Sequence, residues 1–290
     1  MQTLRNLRQT IADQTGLRAL AEIYEDIALF NMQRIRGQVL SMRQFLAGVS
    51  EIYTLAKTAY LAQIPTTISG RPKPEALSFV LRNGKTVVVL ISGNEPLLGN
   101  IMLAAYKVFL ALSAKLSSDL VICGQIGRYL ASQARPLLVF KYFDLDDYRT
   151  SELQLAQIFD YTRQYAKILV VYPRFESVLS QVPQIDDISG GVSLEKARVY
   201  KKNYFFEPSP REVMSYFESQ IIKLLLYWKM LEAMLARFSA RLTILDAATQ
   251  TIEKKIAKNR AFETRLTRRE DNKGQMVIYA GISLWGKDEG

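Results

Sequence analysis

Residues 207–228 read EPSPREVMSYFESQIIKLLLYW, and this stretch predicts the start of a long C-terminal helix. Ser209 has a side chain that caps helix starts, and Pro210 suits a first helical position because the N–H that it lacks would have no helical partner there. From Val213 to about Trp228 nearly every face of such a helix is apolar. We therefore expect this part of the helix to be buried against the rest of the protein.

Farther along the same helix the apolar pattern narrows to a single seam. From Phe238 onward, apolar residues recur every three or four positions between polar flanks, at Leu242, Leu245, Ala248, Ile252 and Ile256. A broad apolar surface that gives way to a narrow seam is typical of a helix that leaves a domain and enters a coiled coil. We expect this last part to pair with another helix.

The distribution of proline divides the chain into three parts. All nine prolines lie between Pro65 and Pro210, and proline costs about 3 kcal/mol inside a helix. The N-terminal arm repeats apolar residues at helical spacing, which we interpret as one packed face of a helix. They are Leu4, Leu7, Ile11, Leu20, Ile23, Ile27, Phe30, Ile35, Val39, Met42, Leu46, Val49 and Tyr53. We predict an N-terminal coiled-coil helix over 1–64, an α/β domain over 65–206 and a C-terminal coiled-coil helix over 207–290. The second arm must return alongside the first, so the pairing should be antiparallel.

The middle of the chain alternates short apolar runs with helical segments. We predict strands at 79–82, 85–91, 119–124, 137–140 and 167–172, and helices at 97–113 and 152–165. Asn83-Gly84, between the first two runs, is typical of a hairpin turn. The alternation indicates a Rossmann-like open sheet with helices on its faces. The predicted fold class is thus α/β, a long antiparallel coiled coil of terminal helices with this domain inserted between them.

Composition excludes much catalytic chemistry. The 290 residues include no histidine and one cysteine, which removes histidine-based catalytic triads, histidine metal ligands and thiolate zinc sites. No G-x-x-x-x-G-K-[ST] loop occurs, and the glycines at 92–99 and 124–128 lack dinucleotide spacing, so we interpret both segments as strand-to-helix turns. Asp144, Asp146 and Asp147 are interpreted as a solvated loop. We predict no catalytic, cofactor or metal-binding residue.

The net charge of +10 suggests an anionic partner. Basic residues are dense near the C-terminus, where a solvated coiled-coil face and a partner surface both explain them. Our candidate partner contacts are Lys254, Lys255, Lys258, Arg260, Arg265, Arg268, Arg269 and, nearer the middle, Arg241. No unbroken apolar run of about 20 residues and no signal peptide is found, so we expect a soluble or peripherally attached protein.

Motifs along nearly the whole chain, in order, resemble the gamma subunit of F-type ATP synthases. YPRF at 172–175, continuing to QVP at 181–183, fits the family's Y-x-x-F-x-x-x-x-x-Q-x-P run, and YFFEP at 204–208 is similar to its Y-x-x-E-P. The turn at 124–128 is similar to its G-x-K-G-R, while 239–242 and 247–249 resemble its A-A-R-M and A-T segments. The opening helix, residues 4–11, is also similar. The chain departs from the family at 92–100, 20–26 and 262–267.

The resemblance implies a noncatalytic central-stalk rotor of an F-type proton-translocating ATP synthase, which transmits rotation between the membrane c-ring and the catalytic ring in ATP synthesis or hydrolysis. It implies the alpha, beta and epsilon subunits and the c-ring as partners, without nucleic acid. It also implies peripheral attachment at the cytoplasmic side of the cell membrane. Two alternatives stay open: the rotor of a divergent ATP-synthase-like motor, and a basic coiled-coil protein that binds nucleic acid.

Overall fold

The computed structural model describes residues 4–63, 82–134, 137–189, 207 and 209–285. Its longest elements are the first helix, α1 (Leu4–Gln63), and the last, α5 (Pro210–Trp285). Ser209 caps α5 as predicted, because its Oγ accepts a hydrogen bond from the N–H of Glu212 at 3.3 Å. Both proline-free arms thus form continuous helices.

Five strands and three shorter helices lie between α1 and α5 in the described part of the chain. In order they are β1 (Thr86–Ile91), α2 (Ile101–Lys115), β2 (Ser118–Cys123), α3 (Gln125–Ala134), β3 (Lys141–Phe143), α4 (Glu152–Thr162), β4 (Lys167–Phe175) and β5 (Gln181–Asp187). The sheet order is β3-β2-β1-β4-β5. The first four strands are parallel and β5 is antiparallel to β4. This is the order of a doubly wound, Rossmann-like sheet, and the predicted fold class is confirmed.

Two predictions for the sheet were wrong, and one strand was missed. Both edges of β1 are paired with parallel strands, β2 and β4, so Asn83-Gly84 is not a hairpin turn into β1; residues 79–81 lie outside the described part. Residues 137–140 are irregular, and β3 begins only at Lys141. The sequence analysis missed β5 because it is mostly polar and contains Pro183, a residue that an edge strand tolerates.

The helices α2 and α4 are shorter than predicted. Leu97 and Gly99 have φ of 67° and 56°, a left-handed conformation that a right-handed helix excludes. The chain therefore enters α2 at Ile101 instead of Leu97. At the other helix, α4 ends at Thr162, three residues before the predicted end.

The sheet is covered on both faces by helices. Val87, Val89 and Ile91 of β1 pack toward α4 and α5, in a cluster that also contains Ile158, Ile222, Leu226, Met230 and Ala233. Val88 and Leu90 point the other way, toward α2 and α3, in a cluster with Ala105, Tyr106, Phe109 and Ala131. Alternate residues of a strand face opposite sides, so the apolar run of β1 matches burial on both sides.

The chain divides into two compact units, each with a segment of α1 and a segment of α5. The first unit is Met1–Ile27 with Leu242–Gly290, and the second is Ala28–Arg241. In the first, Arg8 contacts Glu263 and Arg18 contacts Glu253, at 2.8 and 3.4 Å. In the second, Tyr53 packs with Met214 and Ile221, while Ile35 and Leu231 border one cavity. Within each unit the two segments are therefore antiparallel. The three-part division at residues 64 and 207 stays a prediction.

Candidate functional site

A buried arginine of α5 lies at the carboxyl ends of the parallel strands. Doubly wound folds bind ligands at this edge, where the strand order reverses. Here Arg237, 2% exposed, donates from Nη1 to the main-chain oxygen of Ser92 at 2.6 Å. Its Nη2 lies 3.4 Å from Oδ1 of Asp147. Because Ser92 directly follows β1, a side chain of the protein's own helix fills this part of the edge.

The carboxylate of Asp147 is held by the main chain as well as by Arg237. It accepts hydrogen bonds from the N–H groups of Asn94 and Glu95, the latter at 2.7 Å. Burial lowers the pKa of the Arg237 guanidinium, and Arg241 lowers it further, whereas Asp147 raises it. An arginine keeps its proton at neutral pH even so. The result is a buried ion pair rather than the solvated acidic loop that we predicted for Asp147.

Two glycines make this packing possible. A Cβ on Gly93 would lie 2.8 Å from Cδ of Arg237, closer than side-chain atoms approach one another. Gly124 has φ +95°, and a Cβ there would lie 2.7 Å from Oγ of Ser92. That hydroxyl donates to the carbonyl of Cys123 at 2.6 Å and accepts from the N–H of Gly127 at 3.0 Å. The interpretation of 124–128 as a structural strand-to-helix turn is confirmed.

Arg241 lies one helical turn after Arg237 and is also buried, at 5% exposure. Its Nη2 is 3.3 Å from Oε2 of Glu95, which also accepts a hydrogen bond from the Tyr148 hydroxyl at 2.7 Å. Burial and that bond raise the pKa of Tyr148 to about 12. The partners of Arg241 in the structure thus belong to its own chain. Its role in contacting another subunit stays a prediction.

A second buried charge network joins α5 to the β4–β5 hairpin. Lys229 donates to the Tyr172 hydroxyl at 3.0 Å, pairs with Asp186 and lies 3.6 Å from Glu232. Burial alone would raise the pKa of Asp186, but its hydrogen bonds, first that from Lys229, lower it overall. Tyr172 belongs to the YPRF motif, yet the sequence analysis gave no role to it or to Lys229.

These two networks explain where α5 is enclosed. Every residue from 229 to 241 is buried, whereas Tyr216 is 65% exposed. The predicted burial of 213–228 therefore holds for one face only, where Met214, Ile222 and Leu226 are buried. The prediction followed apolar composition, but the enclosed segment contains Lys229, Glu232, Arg237 and Arg241, whose partners come from distant parts of the chain. Ion pairs with the inserted domain allow charged residues to be buried there.

The seven other predicted contact residues are all exposed on the α5 segment of the first unit. They are Lys254, Lys255, Lys258, Arg260, Arg265, Arg268 and Arg269. Within the described residues none of them forms an ion pair, because the cross-helix pairs use Glu253 and Glu263 with arginines of α1. Ile256, 6% exposed, lies in the seam between the helices. The basic residues therefore form a free charged surface, and their role in binding a partner stays a prediction.

Exposed apolar side chains occur on both helices of the first unit. On α5, Met276, Val277, Ile278, Tyr279 and Ile282 are 63–73% exposed. On α1, Leu17, Leu20, Ile23, Tyr24 and Ile27 are exposed. The prediction that Leu20, Ile23 and Ile27 lie on a packed face was therefore wrong. The pairs Arg8–Glu263 and Arg18–Glu253 place residues 276–282 of α5 beyond the start of α1, so the two apolar sets are separate. Exposed apolar surface is typical of a protein interface, and the sequence signal for the α5 set is the apolar run 276–279.

These features define a class of protein: two long terminal helices that pair antiparallel within each unit, with a Rossmann-like domain inserted between them in the chain and a buried arginine at the edge where such domains bind ligands. A family model described as ATP synthase matches residues 3–269. The ATP synthase gamma chain of Halothermothrix orenii is 21% identical and that of Caulobacter vibrioides 23%; the alignments cover 92% and 86% of this chain and 96% and 88% of those proteins. The chain belongs to the ATP synthase gamma family.

Solved structures show the same fold. A chain of the rotor of the Euglena gracilis mitochondrial ATP synthase aligns with TM-score 0.60 and 12% identity, over 92% of this chain and 98% of that one. A chain from the central stalk and c-ring structure of the Tetrahymena thermophila enzyme aligns with TM-score 0.57 and 18% identity. The role of this protein is that of a central-stalk subunit, part of a membrane-associated enzyme complex. Family membership favours this role over the nucleic-acid-binding alternative.

Proposed function

We propose that this chain is the rotor of a proton-translocating F-type ATP synthase and transmits rotation between a membrane c-ring and a catalytic ring of alpha and beta subunits. It works in ATP synthesis or hydrolysis and contributes no catalytic site of its own. The observation that carries the proposal is the antiparallel pairing of α1 with α5 in a chain of the gamma family. The ion pairs Arg8–Glu263 and Arg18–Glu253 support it.

Transmission of torque requires that the inserted domain does not slip around α5. Two groups of buried charges link α5 to the two sides of the sheet. Arg237 pairs with Asp147, which follows the edge strand β3, and Lys229 pairs with Asp186 in the other edge strand, β5. Separating either buried pair would leave uncompensated charges in the protein interior, at a cost of about 3–5 kcal/mol. Together with the apolar packing of Ile222, Leu226 and Met230, these pairs lock the domain to the helix.

The first unit offers the surface for the catalytic ring. Its exposed apolar residues suit a dry interface, while the seven exposed bases suit an acidic rim. Charge complementarity across a solvated rim mainly steers and orients the partners, which fits a contact that must slide during rotation. We assign this unit to the alpha and beta subunits, and the α/β domain to the epsilon subunit and the c-ring.

The proposed location is the cytoplasmic face of the cell membrane, with peripheral attachment through the c-ring. None of the described helices has an apolar stretch long enough to span a membrane. In this arrangement the catalytic chemistry belongs to the ring, and the chain contributes asymmetry and stiffness.

Affinity purification of the tagged chain from its native membranes tests this function. We expect alpha- and beta-type subunits and a c-ring in stoichiometric amounts, and ATP-driven proton pumping after reconstitution into vesicles. Recovery of a catalytic ring without a c-ring would instead identify a divergent motor. Recovery of the chain alone under mild conditions, or with nucleic acid, would contradict the proposal.

A further inference from the structure

A polar cavity of about 240 Å³ lies in the second unit, where α1, the loop before α4 and α5 meet. Its lining contains two arginines, Arg34 and Arg149, and no carboxylate. The remaining residues are hydroxyl, amide or apolar: Thr150, Tyr148, Tyr227, Gln38, Ile35 and Leu231. The cavity therefore has a local excess of positive charge and of hydrogen-bond donors.

Arg34 is held rigidly beside the cavity. Its Nη2 donates to Oδ1 of Asn31 at 2.9 Å and to the main-chain oxygen of Tyr148 at 2.7 Å. Its Nε is buried and has no hydrogen-bond partner, and the same holds for Oγ1 of Thr150. Buried donors without partners are costly and rare. Here two of them border one cavity.

The carboxylates nearest in sequence do not neutralise Arg149. Asp146 accepts the main-chain N–H groups of Tyr148 and Arg149, and Asp147 is paired with Arg237. The side chain of Arg149 is exposed, and within the described residues its guanidinium forms no ion pair. Because Arg34 and Arg149 lie on different elements, an anion between them would link α1 to the loop before α4.

We propose that this cavity binds a small oxyanion, either a free phosphate or a carboxylate group, between Arg34 and Arg149. Guanidinium groups bind both oxyanions through paired, charge-assisted hydrogen bonds. The Thr150 hydroxyl supplies a further donor, and the volume accepts one such group with its hydration water. The site is separate from the surfaces assigned to torque transmission, so it does not depend on the proposed rotor function.

Isothermal titration of the full chain with inorganic phosphate, and separately with acetate, tests the site at constant low ionic strength. Each hydrogen bond to a charged group changes affinity by about tenfold or more. We therefore expect Arg149→Ala and Thr150→Val each to weaken binding by about that factor. Arg36→Ala, which removes an exposed arginine of α1 outside the cavity lining, should leave it unchanged. Circular dichroism verifies that each variant is folded.

Two results would support the site and separate its sources. Saturable binding of phosphate alone indicates a free phosphate, whereas comparable binding of acetate indicates a carboxylate, such as an acidic side chain. In either case Arg149→Ala must weaken binding by the factor given above. The absence of saturable binding at millimolar concentrations would overturn the proposal, and so would equal affinities in Arg149→Ala, Thr150→Val and Arg36→Ala.

Discussion

Arg237 of α5 donates a hydrogen bond of 2.6 Å to the main-chain oxygen of Ser92, 145 positions earlier and directly after the central strand β1. This bond joins the last helix to the edge at which doubly wound sheets bind ligands. With Asp147 as its counterion, the arginine occupies that edge permanently. The inserted domain is therefore firmly attached to α5 at this edge, although its strand order is that of ligand-binding folds.

We expect both Arg237→Met and Asp147→Asn to destabilise the second unit by about 3–5 kcal/mol, the usual cost of breaking a buried ion pair. Asp147→Asn should cost more, because it leaves Arg237 with only the main-chain oxygen of Ser92 as a partner. Arg237→Met leaves Asp147 with two main-chain N–H partners. Urea unfolding followed by circular dichroism measures both. The double variant should lose less stability than the two single variants lose together. A loss equal to their sum would disprove the pairing. Arg260→Met, at an exposed position, is the matched control.

Alanine substitutions at two glycines should have opposite effects. Gly93→Ala places a methyl group 2.8 Å from Cδ of Arg237, and such overpacking typically costs about 1–3 kcal/mol. Gly48→Ala lies inside α1 with no atom within 4 Å of the new Cβ, and it should stabilise by up to about 1 kcal/mol through helix propensity. Thermal unfolding of the two variants compares them directly. A stable Gly93→Ala protein would show that Arg237 is free to move aside.

Lys229→Met should reduce stability at neutral pH and much less in acid. In the folded protein the pKa of Asp186 is lowered, so its contribution is present above the ordinary aspartate pKa and is lost as the pH falls through the folded value. The variant lacks the part of this contribution that Lys229 supplies, at every pH. Its deficit relative to the wild type should thus be full at pH 7 and shrink below about pH 4. Urea midpoints between these pH values test the trend, and a constant deficit would contradict it.

Glu25→Gln should stabilise the first unit at pH 7. Partial burial raises the pKa of Glu25, and Asp246, Asp26 and Glu22 raise it further. Since the folded pKa lies above the unfolded one, stability falls as the pH rises through this interval. The variant removes that loss, so its melting temperature should exceed the wild-type value at pH 7 and match it near pH 4. Glu51→Gln, at an exposed site on α1, should leave the melting temperature unchanged at both pH values.

Replacing Arg265, Arg268 and Arg269 together by Gln should impair coupling in the assembled complex. Exposed ion pairs contribute about 0.2–1 kcal/mol each, so contact with the ring should weaken by up to about a hundredfold while the fold is retained. ATP-driven proton pumping should fall relative to ATP hydrolysis. Unchanged hydrolysis and rotation would exclude these residues as ring contacts. The control replaces three exposed arginines that lie outside both the first unit and the inserted domain, Arg36, Arg43 and Arg211.

Much of the helical architecture was predictable because its signals are local. The cap at Ser209, the proline-free arms and the three- and four-residue apolar spacing act within a few turns, and the observed helices follow them. The apolar runs of β1, β2 and β4 were found for the same reason. The edge strand β5 was not, because a half-exposed strand with Pro183 has too few apolar residues to differ from a loop.

The sequence by itself determined the two long helices, the alternating α/β middle and the exposed basic segment, since each depends on neighbours in the chain. Only the tertiary structure decided which charged residues are buried. Arg241 and Arg269 are chemically identical, yet one is enclosed beside Glu95 and the other is exposed. The physical reason is that a charged side chain is stable in the interior only beside a counterion. Here the counterions come from strands and loops that are distant in sequence.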